Sequence, residues 1–465
     1  MLVLQLIVSG WMCLILLMSF AKIKYGVALF LVYMILVPAV MITIGDKMWG
    51  ANVVNTAFLL SYIVYVIRNK RPVEWKPFIP FIFYFVITLV IMPFQTGMPT
   101  IEMFDQWRKD VMLYLFLPFV MWNIMKDDPT SVRLFRNSVL LGIVVAVGYG
   151  FYLTTMPGEN PYQMVMLLLS GVGGDIDWYS YYGAFGEGRL FGRISSVFQH
   201  PMQFALFLGL SAVYVFGVRN KIPKKFFVVI MLGLIVMSMI CGVRSVLGGL
   251  AVAVAYYLIV GRNAKVFGAL LVLGSIAVVI ISQIPELSVY LGSIADVNNK
   301  TGAVSGSSFE MRLDQLYGAV EEAEANPIWG LGYSWTTYYQ SLYGDHPICY
   351  AFESLLYVII CNFGIAGFVI WGALAVLIIW NNFRFNLKEK VVVDALFVFY
   401  MAYSAITGEY GYMKLFLIFY VLLLGEALEN EKFEESDESG KSEELDENKG
   451  SDNQDMQITK ELLRK

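Results

Sequence analysis

The chain has 465 residues, of which 58% are hydrophobic and only 15% charged, and its mean hydropathy is +0.64. Soluble domains average about 45–50% apolar and about 25% charged residues, so this composition excludes an ordinary soluble enzyme, and no basic excess suggests a nucleic-acid partner. The net charge of −4 is uneven, because residues 429–465 hold 13 acidic and 6 basic side chains. The composition predicts an all-α polytopic membrane protein with one membrane domain, residues 1–428, and an acidic tail, residues 429–465.

Apolar runs of spanning length follow one another along the chain, since about 20 helical residues are needed to cross the hydrocarbon core. They predict about 12–13 transmembrane helices. The run over 350–380 is too long for one straight crossing, and we expect Gly364 and Gly367 to divide it into a dipping segment and a full span. The spans predicted in chain order are 2–20, 26–45, 49–67, 77–94, 111–125, 137–155, 197–217, 226–242, 245–260, 266–284, 350–380, 391–406 and 414–428.

The basic residues between these spans predict the orientation, because cytoplasmic loops carry an excess of Lys and Arg. One alternating set of loops holds 18 of the 33 basic residues, the opposite set holds 9, and the tail holds the other 6. The richer set is expected to face the cytoplasm. The N-terminus is therefore predicted outside and the tail inside, and the first span is expected to be retained rather than cleaved.

Two long loops fall on the predicted outer side, over residues 156–196 and 285–349. Long loops with structure of their own are usually functional. The first is rich in Gly and Tyr, and the second contains a predicted helix. Ser307 and Glu310 fit a capping box at the start of this helix, and Asn326-Pro327 is expected to end it. Its predicted apolar face is formed by Phe309, Leu313, Leu316 and Val320.

The tail and the cysteines predict little chemistry. Residues 429–465 are strongly charged and nearly free of aromatic side chains, a composition typical of a disordered segment. None of the four cysteines belongs to a Cys-x-x-Cys pair, and most lie inside apolar runs, where Cys behaves as a small hydrophobic residue. We therefore expect neither a disulfide framework nor a metal site.

A few polar residues stand out against the apolar background. The two histidines, His200 and His346, both belong to predicted outer segments. Arg193, Arg244 and Arg312 are directed at the same side, and Arg244 lies between two spans joined by almost no loop. Ionisable groups at this depth are costly and are functional candidates, although a single arginine can also reach up to lipid phosphate.

These residues fall into four ordered sequence elements. The first begins at Arg193, has Ser196 three residues later and continues into His200-Pro201-Met202 at the start of a span. The second is Val243-Arg244-Ser245, also at the start of a span. The third joins Arg312 on the loop helix to a P-x-x-G-x-G turn. The fourth begins at His346-Pro347, and the third and fourth are completed by Pro327, Gly330, Gly332, Glu353, Gly364 and Gly367.

The ordered set, which covers residues 190–380, resembles the O-antigen polymerase and O-antigen ligase superfamily of bacterial membrane glycosyltransferases. Three positions depart from the family pattern. Ser196 stands where glycine is usual, Val243 where serine is usual and Pro347 where asparagine is usual. Upstream of residue 190, only the pattern of spans agrees with the family.

The resemblance implies a metal-independent enzyme without cofactors that acts on the extracytoplasmic face of the bacterial inner membrane. Its donor would be an oligosaccharide on a polyprenyl diphosphate, and its acceptor a glycan or a lipid-linked glycan. Arg193, Arg244 and Arg312 would hold the diphosphate, with His200 beside them in the substrate site. His346 would be the catalytic base for the acceptor hydroxyl, since imidazole titrates near neutrality, and Glu353 would orient it or have a structural role.

Several alternatives stay open at this point. The polymerase and the ligase, which transfers the glycan to a lipid A core, differ only in their acceptor, and we favour the polymerase. A transporter or a flippase for lipid-linked glycans would also contain a dozen spans, but the unusual polar residues gather at one face rather than mid-membrane. Asp175 and Asp177 form the one Asp-x-Asp pattern that could bind a metal in the outer loops. Partners expected for a polymerase are the lipid bilayer, the two glycan substrates and a chain-length regulator.

Overall fold

The computed structural model describes residues 2–37, 42–44, 47–49, 51–156, 159–169, 193–261, 309–384, 390–409 and 411–429. The predicted span 266–284, the Asp175 and Asp177 pattern, Ser307 and the tail after residue 429 lie outside the described residues. Within them the chain is helical apart from one two-stranded hairpin. The helices are α1 Leu2–Ala21, α2 Ile23–Leu36, α3 Ala51–Asn69, α4 Ile79–Ile91, α5 Thr100–Asp127, α6 Thr130–Leu153, α7 Pro161–Leu169, α8 Pro201–Gly217, α9 Lys224–Ile240, α10 Ser245–Gly261, α11 Phe309–Ala323, α12 Trp335–Tyr343, α13 Leu355–Arg384, α14 Lys390–Thr407 and α15 413–429.

Several of these helices are long and apolar enough to cross a membrane. Four described stretches meet both criteria: Lys76–Phe94, Thr130–Leu153, Leu355–Phe383 and Lys390–Thr407. Shorter apolar helices, among them α2, α8 and α10, accompany them. A helical membrane protein is therefore a sound description, whereas the count of about 12–13 spans stays a prediction.

The predicted span over 26–45 differs from the structure at its end. Helix α2 stops at Leu36, and strand β1, Ile42–Ile44, pairs antiparallel with β2, Lys47–Trp49. Pro38 follows the end of the helix, and the residue before a proline disfavours helical backbone angles. The apolar run therefore continues past the helix into a short hairpin, which hydropathy alone does not distinguish from a longer span.

The two ends of the helix bundle have different chemistry. The basic end, defined here by residues 22–24, 70–78, 126–136, 218–224 and 426–429, contains a buried ion-pair network. Arg136 Nη1 lies 2.7 Å from Glu426 Oε2, and Lys221 Nζ lies 2.9 Å from the same oxygen. Glu426 is only 1% exposed, so both cations compensate one buried carboxylate. Lys221 also pairs with Glu429, the last described residue of α15.

The opposite end, called the motif end, is formed by residues 94–100, 193–200, 241–245, 324–354, 405–409 and 411–413. Here the long helix α13 is broken at Gly364, whose φ of +58 lies in the left-handed region. A break at Gly364 is thus confirmed, while Gly367 stays helical, and the division into a dipping segment and a full span stays a prediction. A β-carbon on Gly364 would lie 2.4 Å from the backbone oxygen of Pro327, so only glycine fits this approach.

Breaking α13 frees backbone groups that the 327–332 loop then satisfies. The N–H groups of Ile365 and Ala366 donate to the backbone oxygens of Pro327 and Ile328, both at 2.9 Å. The N–H of Leu331 donates in turn to the oxygen of Cys361 at 2.8 Å. The P-x-x-G-x-G turn is therefore joined to α13 by main-chain hydrogen bonds, as helix ends require when their own partners are missing.

The predicted apolar face of α11 is rotated in the structure. Val320 is 47% exposed, whereas Gln315, Ala319 and Ala323 are buried against α13 and the chain around Cys349. Gly318 explains the shift, because a β-carbon there would lie 2.7 Å from Ile348. The small residues at 318 and 319 let α11 approach α13 and the chain around Cys349 closely. This close packing, rather than the larger side chains on the neighbouring face, decides which face of the helix is buried.

Candidate functional site

The segment that follows Arg193 is held in an unusual backbone conformation. Ser196 has φ of +50, a left-handed angle that normally selects glycine. Its Oγ donates to the backbone oxygen of Ala146 at 2.6 Å, and its own backbone oxygen accepts from Asn160 Nδ2 at 2.7 Å. Ser196 thus adopts a glycine-type angle at the position where the resembling family has glycine, and its hydroxyl bond compensates part of the strain. Arg193, at the start of the segment, is half-buried.

The first two sequence elements meet through their backbones. The N–H of Ile194, next to Arg193, donates to the oxygen of Cys241 at 3.1 Å. Three residues after Cys241, Arg244 accepts from the backbone N–H of Leu247 at 3.1 Å and so begins helix α10. Both half-buried arginines therefore project from adjacent loops at the motif end.

His200 is placed at the end of the same segment, as the N-terminal cap of α8. Its Nδ1 accepts a hydrogen bond from the backbone N–H of Met202 at 3.2 Å. Arg193 lies near enough to act on the imidazole electrostatically. The ring therefore satisfies a helix end and faces a cation, and this geometry gives a structural reason for the residue besides the predicted substrate contact.

The third and fourth elements meet in a charged contact between α11 and the start of α13. Arg312 Nη1 donates to the backbone oxygen of Glu353 at 2.7 Å, and Nη2 lies 3.4 Å from the Glu353 carboxylate. Nη1 also lies 3.2 Å from Gln315 Oε1, and Tyr357 Oη donates to the backbone oxygen of Arg312 at 2.8 Å. The Arg312 side chain as a whole is 26% exposed, and these contacts orient its guanidinium.

His346 pairs with a residue that the sequence did not single out. Its Nε2 lies 3.0 Å from Oε1 of Glu322 on α11, while Nδ1 accepts backbone N–H bonds from Ile348 at 3.2 Å and Cys349 at 2.9 Å. An acceptor Nδ1 carries no proton, so Nε2 carries one and donates it to Glu322. The side chain is 3% exposed. Both ring nitrogens have partners, and Glu353 contacts Arg312 rather than His346, an arrangement that favours a positioning role for the imidazole.

Helix α14 connects the two halves of the site. Ser354 Oγ, beside Glu353, donates to the backbone oxygen of Ala405 at 2.7 Å. One half-turn earlier on α14, Tyr403 Oη donates to the backbone oxygen of Met202 at 2.6 Å. The segment of His200 and the segment of Arg312 are therefore attached to the same end of one helix, and all four sequence elements gather at the motif end.

Backbone strain is concentrated in the same place. Among the described residues, five that are not glycine have positive φ angles, and only Lys70 lies away from the motif end. The other four are Ser196, Ser334, Tyr350 and Phe352. Such angles cost about 1–3 kcal/mol each and persist where the surrounding structure imposes them, often at functional sites.

Sequence reasoning identified the residues brought to this end but not their pairing. Glu322 was missed because a glutamate on an amphipathic helix is usually solvated. The signal available in the sequence was the helical spacing of Arg312, Gln315 and Glu322. This spacing places the three side chains on the side of α11 that faces residues 346–353. Within the described residues, no group of three or more His, Cys, Asp or Glu side chains is placed to bind a metal ion.

Comparison with protein-family models and with curated proteins finds no match for this chain. The resemblance described above rests on the motif residues and their order.

Proposed function

We propose that this protein is a membrane glycosyltransferase of polysaccharide biosynthesis, which polymerises oligosaccharide repeat units carried on a polyprenyl diphosphate at the extracytoplasmic face. The supporting observation is the convergence of four sequence-distant elements. Ile194 bonds to Cys241, Arg312 bonds to Glu353, and α14 connects these two contacts. A single site built from all four elements requires that they lie close together. Four helix ends without a common function have no such requirement.

In this proposal, the arginines of the site bind the leaving group. The leaving group is a diphosphate, and its negative charge increases as the bond to the sugar breaks. Arginine stays protonated and offers a planar pair of donors that matches phosphate oxygens. Arg312 is oriented by the Glu353 backbone and its side chain is only partly buried, at 26% exposed, which suits a residue that binds an anion. Arg193 and Arg244 are its proposed companions, and together they stabilise the charge on the departing diphosphate.

The ligase alternative shares this donor chemistry and differs in the acceptor. A ligase would move finished polymer onto a lipid A core, whereas a polymerase extends the chain on its carrier. A transporter or flippase would move the lipid-linked glycan without making a glycosidic bond. These activities are distinguished by their products.

The deciding experiment compares cells with and without this protein. With the polymerase, membrane extracts resolved by size give a ladder of lipid-linked polymer, and without it they retain single repeat units at the outer face. Polymer that forms without the protein but stays on its carrier would point to the ligase. Repeat units that stay at the inner face without the protein would point to the flippase and contradict the proposal.

A further inference from the structure

A second polar site adjoins the first half of α13, which also contacts Arg312. It is a cavity of about 320 Å³ bounded by α4, α5, the 333–337 segment, α13 and the turn at 409–413. Val358 and Asn362 face this cavity, whereas Glu353 and Tyr357 contact Arg312. Ligand pockets span about 300–1,000 Å³, so this one suits a single small ligand unit.

Two carboxylates line the cavity. Asp110 is 8% exposed, and its two oxygens accept from Tyr333 Oη and Gln106 Nε2, each at 3.0 Å. Glu409 accepts from the backbone N–H of Met413 at 2.8 Å, from that of Gly411 at 3.1 Å and from a tyrosine hydroxyl. Each carboxylate oxygen can accept two hydrogen bonds, so Asp110 retains acceptor capacity for a ligand hydroxyl.

Two aromatic side chains form another part of the lining. Trp371 lines the cavity, is 6% exposed, and its indole Nε1 has no hydrogen-bond partner among the described residues. This nitrogen is covered by protein atoms, so the indole contributes an apolar ring to the lining rather than a hydrogen-bond donor. The ring stands edge-on to Tyr84 with centroids 5.4 Å apart, and the two form an aromatic wall.

The lining selects a neutral ligand rich in hydroxyl groups. Of the described residues that line the cavity, none is cationic, and two carboxylates would repel an anion such as a phosphate. Hydroxyl groups can donate to Asp110 and Glu409, while the carbon-bound hydrogens of a sugar ring pack on an aromatic face. A single sugar residue combines these properties and fits the volume.

We propose that this cavity binds the terminal sugar of the acceptor glycan and that Asp110 is the general base for its attacking hydroxyl, an inference that rests on the proposed function. The hydroxyl oxygen forms a bond to the anomeric carbon of the donor. The bond from that carbon to the diphosphate oxygen breaks, and its electron pair leaves with the diphosphate held by the arginines. The hydroxyl proton moves to the Asp110 carboxylate.

The surroundings of Asp110 adapt it to this task. It lies in the charged first part of α5, just before the predicted span 111–125. Burial, with the nearby charge of Glu409, raises the pKa of Asp110 to about 7, against the hydrogen bonds from Tyr333, Gln106 and Tyr114. A base with a pKa near the working pH is half deprotonated and still accepts a proton readily. Asp110 therefore has acceptor capacity left for a ligand hydroxyl, whereas both ring nitrogens of His346 already have partners.

The test uses the full-length protein in nanodiscs, with lipid-linked repeat units extracted from cells that lack it as the substrate. Asp110→Asn keeps the shape of the side chain and removes the base, so its polymerisation rate should fall about 10²–10⁴-fold. Asp105→Asn is the matched control, because Asp105 lies on the same helix, is 40% exposed and pairs only with neighbouring cations. The control should keep the wild-type rate.

Tyr333→Phe provides a second variant that does not depend on deleting the carboxylate. Removing its hydrogen bond raises the pKa of Asp110, so the acid limb of the pH–rate profile should move to higher pH while the enzyme stays active. Unfolding midpoints confirm that the variants are folded.

The outcomes separate the two proposals. A wild-type protein that makes no polymer contradicts the proposed function. An active wild-type protein with an equally active Asp110→Asn, or with an acid limb that Tyr333→Phe leaves in place, overturns the assignment of Asp110 and leaves the proposed function standing. Loss of rate in Asp110→Asn together with the shifted limb supports the base and its cavity.

Discussion

The imidazole of His346 donates through Nε2 to the carboxylate of Glu322, 24 residues earlier in the chain, at 3.0 Å. The other nitrogen accepts two backbone N–H bonds from the turn that follows it. The pair therefore fastens the segment after α12 to helix α11, which also carries Arg312. His346 as the catalytic base stays a prediction from the sequence, and the contacts favour a residue that orders the loop.

Two substitutions at this position separate the roles. The side-chain oxygen of His346→Asn can accept the N–H groups of Ile348 and Cys349 in place of Nδ1, but an amide cannot act as a base. If the residue orders the loop, His346→Asn should retain clearly more polymerisation than His346→Ala, with activity following the amount of folded protein. Equal and complete loss in both variants at normal protein level would restore the base assignment. Immunoblots and glycan ladders measure the two quantities.

Arg312→Lys tests the importance of the planar donor pair. Lysine keeps the charge but cannot contact the Glu353 backbone and a phosphate with a rigid fork. We expect activity to fall about 10²–10³-fold, as for loss of one transition-state donor. Arg108→Lys is the control, since Arg108 is exposed and pairs with Asp105. Arg244→Lys should behave like Arg312→Lys. Wild-type rates in both variants would contradict the diphosphate contacts and leave these arginines a role only as anchors at the membrane interface.

Gly364→Ala tests the break in α13. The added carbon meets the Pro327 oxygen at 2.4 Å and the φ of +58 is unfavourable, so the variant should be destabilised by about 1–3 kcal/mol or more. Gly372→Ala on the same helix meets nothing within 4 Å and should be neutral or stabilising by about 0.5–1 kcal/mol. Unfolding midpoints in detergent give the comparison. A Gly364→Ala variant as stable as Gly372→Ala would contradict the described junction.

The buried network at the basic end predicts another difference in stability. Arg136→Gln removes the 2.7 Å ion pair with Glu426 and leaves this carboxylate with Lys221 and the hydroxyl of Tyr214, which lies 3.5 Å away. We expect a loss of about 1.5–3 kcal/mol, typical for a hydrogen bond to a charged group. Arg133→Gln, an exposed position one turn earlier on α6, should change the unfolding free energy little. If both variants changed the unfolding free energy equally, the network would stabilise the fold only through overall charge and not through the Arg136–Glu426 contact.

The predicted orientation can be measured with single cysteines. Ser341→Cys at the motif end and Asn69→Cys at the basic end are both exposed positions. In a background without the four native cysteines, a membrane-impermeant maleimide should label residue 341 in intact cells and residue 69 only after lysis. Labelling of both from outside would reject the orientation and the extracytoplasmic site with it.

The sequence predicted the helical membrane class and the break in the long run at Gly364, because hydropathy and glycine act locally. It did not predict the hairpin at 42–49, since apolar residues suit strands and helices alike. The face of α11 was misjudged because the contact of Gly318 with Ile348 depends on a neighbour that no local pattern names.

The cavity was missed for a related reason. Asp110 lies 223 residues before Tyr333, and its surroundings are supplied by α4, α5, α13 and the turn at Glu409. In the sequence Asp110 follows Arg108 and Lys109, and this pattern predicts a solvent-exposed charged turn. Only the folded chain shows that Asp105 takes those cations while Asp110 turns inward to Tyr333.

The main-chain junction between the 327–332 loop and α13 has a consequence for divergence among proteins of this architecture. Gln95 adds to it by bonding the backbone oxygens of Trp329 and Asn362, both at 2.8 Å. The backbone of this cavity wall is thus fixed by contacts that do not depend on which side chains face inward. A lineage that adopts a different sugar is therefore expected to exchange inward-facing side chains such as Thr336, Thr337 and Val358, while the glycines behind them stay unchanged.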